Sequence, residues 1–501
     1  MTNTSSISPM LRWLITITVM LAAMIEIIDT TIINVALNDM AGALGANTSQ
    51  ISWVSTSYVV SAAIFMPLTG FLVKRIGRKR LLLMNITGFM ICSALCGMAT
   101  SLSELVFFRI LQGVFGASLV PLSQYILRDT FPPEEHVKAM AIWGVGIMAA
   151  PVLGPTLGGY ITQHLSWRWI FYINVPVCLI ATAMAFLFIS ETIREKIRID
   201  WQGLALMVIA IGCLQIFLDR GHESDWLQSN VIIGLMLTWI LALIIFISRG
   251  WNKPGHIVKL TLFKDRNYAI GNLLIVLVTA NLFGVLTVQP LVMEQFFGYT
   301  PQSTGLMMAP RGIASALAMM IVQPLAKRLD LRIVLAIGIA ILALGSYQYA
   351  HLTPQAGPWN WIAPAIVQGI GMGLFFVPIS TIAFQTLNRD DTAEGSGLFG
   401  FTRNIGTSIG ISVMVTFLAS QAQRAWHGLV GHIRPTNPSF QHWLTQTNLS
   451  SDSPQTYPII AQQIMKQAHV ISFCDISYFA FIVTLLSLPL IGLLSNPNAA
   501  R

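Results

Sequence analysis

The chain is 501 residues long, 54% hydrophobic and only 10% charged, with a mean hydropathy of +0.67. No soluble chain of this size has use for so much apolar surface, which excludes a water-soluble globular domain. The formal net charge of +8 would suggest nucleic acid as a partner in a soluble domain. Among membrane spans it reads as a topological signal, and no nucleic-acid partner is expected.

Apolar runs of about 17 to 25 residues, each able to cross a hydrocarbon core roughly 30 Å thick, recur between polar breaks. Fourteen are counted, near residues 13–35, 52–73, 81–99, 104–126, 138–162, 168–190, 201–219, 230–249, 268–291, 303–325, 332–351, 358–383, 396–418 and 473–495. The expected fold is all-α and polytopic. The first run, beginning near Trp13, is too long for the apolar core of a cleavable signal and reads as a signal anchor. Cys92, Cys96, Cys178, Cys213 and Cys474 lie mostly inside apolar runs, where free cysteine packs as a small hydrophobe, so neither disulfide nor metal site is expected.

Lys and Arg resist translocation and mark cytoplasmic loops. One alternating set of connections holds Lys74, Arg75, Arg78, Lys79 and Arg80, then Arg128 and Lys138, then Arg194, Lys196 and Arg198. It continues with Arg249, Lys253, Lys259, Lys264 and Arg266, then Lys327, Arg328 and Arg332, then Arg389. The opposite set holds only Arg168, Arg220, Arg424, Arg434 and Lys466. Both termini are therefore expected in the cytoplasm.

In chain order, span one carries Glu26, Asp29 and Asn34, and span four carries Arg109. A guanidinium near the middle of a membrane helix costs at least about 2.5 to 3.5 kcal/mol, so it needs a partner or a wet cavity. Span one enters from the cytoplasm and span four from outside, which places Asp29 roughly 9 Å and Arg109 roughly 8 Å below the same outer surface. Glu26, three residues before Asp29, shares its face. A carboxylate beside a guanidinium stays ionised, whereas one desolvated without a cation holds its proton. A static structural pair is the competing reading of Asp29 and Arg109.

The chain also echoes itself. Leu111-Gln112-Gly113 with Val120-Pro121-Leu122-Ser123 in span four is matched by Val367-Gln368-Gly369 with Val377-Pro378-Ile379-Ser380 in span twelve. Leu72-Val73-Lys74-Arg75 is matched by Leu325-Ala326-Lys327-Arg328. Both echoes relate a span to the one eight later, as two six-span halves with two inserted spans would. The domains expected are residues 1–190, an inserted pair within 191–267, and 268–501 with a long outer loop at 419–472. Under this echo Arg109 matches Ala365, so the second half lacks the charge.

These residues together resemble the fourteen-span drug:proton antiporters of the major facilitator superfamily, and most closely their EmrB-like branch. Span one, with Asp29-Thr30-Thr31 and Asn34, resembles the family's first-helix motif. Gly70 to Lys79, with Lys74, Arg75, Gly77 and Arg78, resembles the cytoplasmic gate motif, and Phe108-Arg109 to Gly113 the proton-linked arginine motif. Gly154-Pro155 to Gly158-Gly159 resembles the antiporter motif. Leu214 to Gly221 with Asp225-Trp226, and Leu262-Phe263-Lys264 with Arg266-Asn267, resemble the EmrB-like branch itself. The gate motif usually has an acid where this chain has Lys74. A cation cannot accept that acid's bonds, so a weaker or rewired lock is expected, with Asp129 pairing with Arg78 or Arg75.

The resemblance implies proton-driven multidrug efflux by alternating access, with Asp29, Arg109 and Glu26 handling the proton and no cofactor beyond the proton gradient. It implies a cavity lined by spans one, four, nine and twelve, for which Asn34, Gln112, Gln289, Gln368, Phe375 and Phe376 are the candidates, suited to small hydrophobic or amphipathic compounds. Arg311 and Arg403 either attract anionic substrates or bind carbonyls. Pro155 disrupts its helical ladder and the neighbouring glycines permit close approach, so span five is free to bend or slide, with ordinary small-residue packing as the alternative. A bacterial inner membrane, a periplasmic adaptor (EmrA-like) and an outer-membrane channel (TolC-like) are implied as setting and partners. The final connection bears Trp426, His427, His432, His442 and Trp443, with helical apolar spacing from Tyr457 to Val470, and reads as a docking surface or a cap. A uniporter or importer is the alternative function. A lipid-acting membrane enzyme would need a loop constellation that the sequence does not contain.

Overall fold

The computed structural model describes residues 8–192, 194–195, 197, 200–221, 226–251, 257–433, 437–446 and 456–495. Lys196, Arg198, Asp225, Lys253 and Arg434 lie outside the described residues, as do the side chains of Pro155 and Arg389. Among the described residues, fourteen helices are long and apolar enough to cross a membrane. Spans one to seven are Pro9–Leu44, Trp53–Ile76, Arg78–Met98, Leu102–Thr130, His136–His164, Trp169–Phe188 and Trp201–Arg220. Spans eight to fourteen are Asn230–Gly250, Arg266–Phe297, Pro301–Ala326, Leu331–Tyr349, Pro358–Gln385, Thr392–Val430 and Thr456–Leu486. Among the described residues there is no strand.

Local chemistry sets the ends and the breaks. Ser8, Ser101, Asp200, Asp265, Thr300 and Asp330 cap helix starts with side-chain acceptors for the first free amides. Span four breaks at Ala117–Ser118, where Pro121 withholds the N–H that the carbonyl of Ala117 would accept. Span two tightens to a 3-10 turn at Met66–Leu68, around Pro67. The helix of span five runs without interruption from His136 through Pro155 to His164.

The last connection is the clearest departure from the sequence reading. Helix thirteen continues to Val430, a short helix occupies Pro438–Gln446, and the final helix begins at Thr456. Most of the polar stretch 419–472 is thus helical rather than loop. At 1.5 Å per residue, the 39 residues of span thirteen make a rod of roughly 58 Å, about twice the hydrocarbon thickness.

The packing has the symmetry that the echo implies. Span one packs on five and six, span two on four, and span three on four and six. Shifted by eight, the same pairs recur: nine on thirteen and fourteen, ten on twelve, eleven on twelve and fourteen. This is two six-helix bundles with two helices inserted between them in sequence. Close approach depends on missing side chains. At the crossing of spans nine and thirteen, a Cβ on Gly284 would stand 2.6 Å from the Gly410 carbonyl oxygen, and one on Gly410 would collide with the Ala280 backbone. Gly410→Val should therefore cost at least the usual ~1–3 kcal/mol of overpacking. A thermal midpoint several degrees below wild type in detergent is the expected reading.

Candidate functional site

The first half contains a buried polar network centred on Asp29, which is 0% exposed, and Arg109, which is 1% exposed. Arg109 and Gln112 are three residues apart on span four and so share a face. Arg109 Nη1 donates to Asp29 Oδ2 at 2.6 Å and to Gln112 Oε1 at 2.8 Å, and its Nε donates to the Val54 carbonyl at 3.1 Å. The other carboxylate oxygen accepts from Gln112 Nε2 at 3.0 Å and Asn174 Nδ2 at 2.8 Å. Asn174 also donates to Ser93 Oγ at 3.0 Å, and the guanidinium lies over the Tyr58 ring at 4.2 Å. The similar depths inferred for Asp29 and Arg109 are thus realised as a direct ion pair. Every group in it belongs to the first six spans.

Gln112 is therefore part of this network. Asn174, Ser93 and Tyr58 escaped the sequence reading, whose only signal for them was a polar side chain inside an apolar span. Glu26 does not join the ion pair. It lies one turn away, buried, and the charges acting on it are Arg403 of span thirteen and Asp29. Span five lies close against span one here, because a side chain at Gly154 would collide with Thr31 and a Cβ at Gly158 would stand 2.9 Å from Ile32. Gly159 faces open space.

The second half has a network without a carboxylate. Arg311 Nη2 donates to Gln289 Oε1 at 2.6 Å and to the Tyr349 hydroxyl at 3.3 Å, and Tyr349 donates to the Trp361 carbonyl at 2.9 Å. Gln368 donates to Ser346 at 3.2 Å. Gln289, Gln368 and Phe375 are buried within this bundle, Asn34 is exposed, and Ala365 stands where the echo places the counterpart of Arg109. Of the six cavity candidates, only Phe376 lines the cavity found between the halves. The walls of that cavity include Trp143, Met148, Met319, Phe376, Phe399 and Arg403, from spans five, ten, twelve and thirteen.

At the end of the bundle that carries Lys74, the halves are joined by cations of the first half. Lys74 Nζ pairs with Glu394 Oε1 at 2.7 Å, in the first turn of span thirteen, where a helix favours an acid. Gly70 makes room beneath it, since any side chain there would strike the Glu394 backbone. Arg128 Nη2 donates to the Ser380 carbonyl at 2.6 Å, with its guanidinium 4.0 Å from the Phe384 ring centre. Gly77 adopts φ +92°, a left-handed conformation suited to glycine, and turns the chain so that Arg78 meets Asp129 and donates to the Ser190 carbonyl at 2.9 Å. Arg75 is exposed. The departure at Lys74 is thus a rewiring, because the acid sits on the other half.

The Major Facilitator Superfamily model matches residues 19–411. The multidrug export protein EmrB of Escherichia coli K12 is 37% identical over 493 residues, 97% of this chain and 96% of that protein. EmrB of Haemophilus influenzae is 36% identical over 474 residues, 93% and 92% of the two chains. The fatty acid resistance protein FarB of Neisseria gonorrhoeae is 36% identical over 492 residues, 97% and 96%. Among solved structures, the human organic anion transporter MFSD10 superposes with a TM-score of 0.61 at 13% identity, covering 95% of this chain and 100% of that one, a likeness of fold.

Two outcomes are expected. Arg109→Ala leaves Asp29 as a lone buried charge, and breaking such a pair costs about 3–5 kcal/mol, readable as a fall in thermal midpoint. Lys74→Glu sets two acids against each other and should abolish transport, whereas Lys74→Glu with Glu394→Lys should recover much of it in a cell-based efflux assay.

Proposed function

The chain belongs to the Major Facilitator Superfamily and, within it, to the EmrB-type exporters, and on that footing we propose that it exports small hydrophobic or amphipathic compounds in exchange for protons. The observation that carries the proton half of this reading is the Asp29–Arg109 network, a carboxylate and a guanidinium placed together inside oil at a cost. Substrate occupies the cleft that opens between the halves, where the aromatic and methionine side chains around the present water-sized cavity suit flat apolar bodies. Arg403 supplies the charge in that wall.

Protons and substrate are exchanged by alternation. An acid of span one, Asp29 or Glu26, carries a proton inward and releases it when the cavity faces the cytoplasm, and substrate binding accompanies that loss. One charge crossing 100 mV supplies about 2.3 kcal/mol. The contacts of Lys74 and Arg128 hold the cytoplasmic ends together while substrate leaves on the other side, and Arg78 with Asp129 braces the loop that carries Lys74. Gly154 and Gly158 give span five a smooth surface against span one along which a rocking motion can run.

The relatives named as EmrB suggest the setting. The chain lies in a bacterial inner membrane with both termini in the cytoplasm, divided at 1–190, 191–267 and 268–501. A periplasmic adaptor docks on the outer projection of helices thirteen and fourteen with Pro438–Gln446 between them, and hands substrate to an outer-membrane channel. Support for this comes from the length of span thirteen, which far exceeds what a bilayer requires.

The test is substrate-driven proton movement in reconstituted vesicles. Wild type should acidify or alkalinise the lumen when substrate is added, and Asp29→Asn and Arg109→Ala should each reduce the initial rate by about two orders of magnitude, as loss of a proton-transfer group does. Unchanged exchange in both variants would remove the network from coupling. Substrate flux without proton flux in wild type would make the protein a uniporter.

A further inference from the structure

Spans two and thirteen, one from each half, touch at the Lys74 end and run apart from there. Span thirteen packs on span two through Met66–Ile76 and only marginally through Trp53–Phe65. Where they touch, the approach is close, since a Cβ on Gly397 would stand 3.0 Å from the Met66 carbonyl oxygen. Ser408 and Ser412 lie further up span thirteen, roughly 24 and 30 Å from its start at Thr392. There they meet span seven instead.

Span seven sits in the angle between the diverging helices and is bonded to both. Gln215 Nε2 donates to Ser408 Oγ at 2.6 Å, and Ser412 Oγ donates to the Leu218 carbonyl at 2.6 Å. On the other flank, Thr56 of span two donates to Asp219, Arg220 Nη2 donates to Ser52 Oγ at 3.0 Å, and the Arg220 guanidinium lies 4.4 Å from the Trp53 ring centre. Gln215, Leu218, Asp219 and Arg220 all belong to the stretch Leu214 to Gly221 that the sequence sets apart. Trp226 secures its end, because its amide donates to the Gly221 carbonyl at 2.8 Å and its ring lies 5.2 Å from that of Phe217. At the seam related by the eight-span shift, span five packs directly on span ten, whereas span seven has spans two, eight and thirteen for neighbours.

The two flanks of span seven differ in chemistry. Its bonds to span two engage a carboxylate and a guanidinium, and its bonds to span thirteen join neutral groups. Charge-assisted hydrogen bonds are roughly twice as strong as neutral ones, and the cation over an aromatic face adds to them. A helix that fills the gap between two bodies has to part from one of them when the gap closes. It parts where it is held less.

We propose that span seven is a wedge that travels with span two and slides on span thirteen, held in the open end of the seam by Gln215 and Ser412 and released from them when that end closes. Gln215, Ser408 and Ser412 are then positioning residues for the alternation, and the stretch Leu214 to Gly221 is the part of the wedge that grips. The inference rests on the alternating movement of the halves and not on which compound is carried.

The test attaches pairs of nitroxides to the full chain in lipid vesicles, with unlabelled cysteines replaced by alanine, and reads their separations by pulsed electron resonance. Lys74→Glu sets two acids against each other and should part the halves at that end, which a control pair on Arg80→Cys and Lys327→Cys reports by widening. Between spans seven and thirteen, a pair on Cys213 and Val413→Cys should shift by several ångströms when Lys74→Glu is introduced. Between spans seven and two, a pair on Cys213 and Ser55→Cys should keep its separation. With Lys74 intact, Gln215→Leu should raise the share of the displaced Cys213 to Val413→Cys separation about threefold, the worth of one interhelical hydrogen bond in a membrane. A span seven to span two shift as large as the span seven to span thirteen shift, or neither pair shifting while the control widens, would overturn the wedge and leave the alternation standing. A control pair unmoved by Lys74→Glu would sink the alternation itself, and the wedge with it.

Discussion

A charge inside hydrocarbon must find its partner inside the protein, and the first half of this molecule is arranged around that requirement. Arg109 reaches Asp29, Gln112, a backbone carbonyl and an aromatic face, and Asp29 is held in turn by Gln112 and Asn174. Spans one, two, four and six are thereby pinned at one depth. The glycines of span five then let that helix lie against the back of the same segment of span one. The second bundle repeats the helix arrangement but ties its own arginine to neutral groups. One scaffold thus serves twice, and its ionisable pair occurs in one copy.

How much of this could be read from the amino acids depends on the kind of information each feature needs. The fourteen spans and their eight-span echo follow from hydropathy and motif spacing, which are local, and the pairwise packing reproduces the echo helix by helix. The pairing of Asp29 with Arg109 was legible because both residues are too costly in oil to be left alone and their depths could be counted. The glutamines lie inside their own bundles in this arrangement, bonded to Arg109, Arg311 and Ser346. A polar side chain in a span faces either its own bundle or the cavity between bundles, and a lone helix does not reveal which. Glu394 was invisible as the partner of Lys74, since 320 residues separate them and only the closed arrangement of the halves brings them together. The last connection was misjudged because hydropathy ends where the bilayer ends, whereas backbone hydrogen bonding continues through residues such as Gln421, Gln423 and Ala425.

Reversal of charge at the Lys74 contact is consistent with the same economy. What holds the ends together is one attraction between halves, and either half can supply either sign provided that the partner changes with it. Lys74 and Glu394 meet at 2.7 Å while both keep some contact with solvent, so the attraction is screened by salt and can be made and broken on each cycle. The buried pair of Asp29 and Arg109 lies within one half, so motion of the halves does not by itself part it.

Span thirteen joins these two regimes mechanically. It is one helix from Thr392, beside the gate, to Val430, and it passes Arg403 at the cavity on the way. As a lever of roughly 58 Å, it would swing its outer end by about 10 Å for each 10° of tilt at the gate. The state of a lysine at one end of the bundle is therefore written, greatly enlarged, in the position of a helix tip beyond the opposite end.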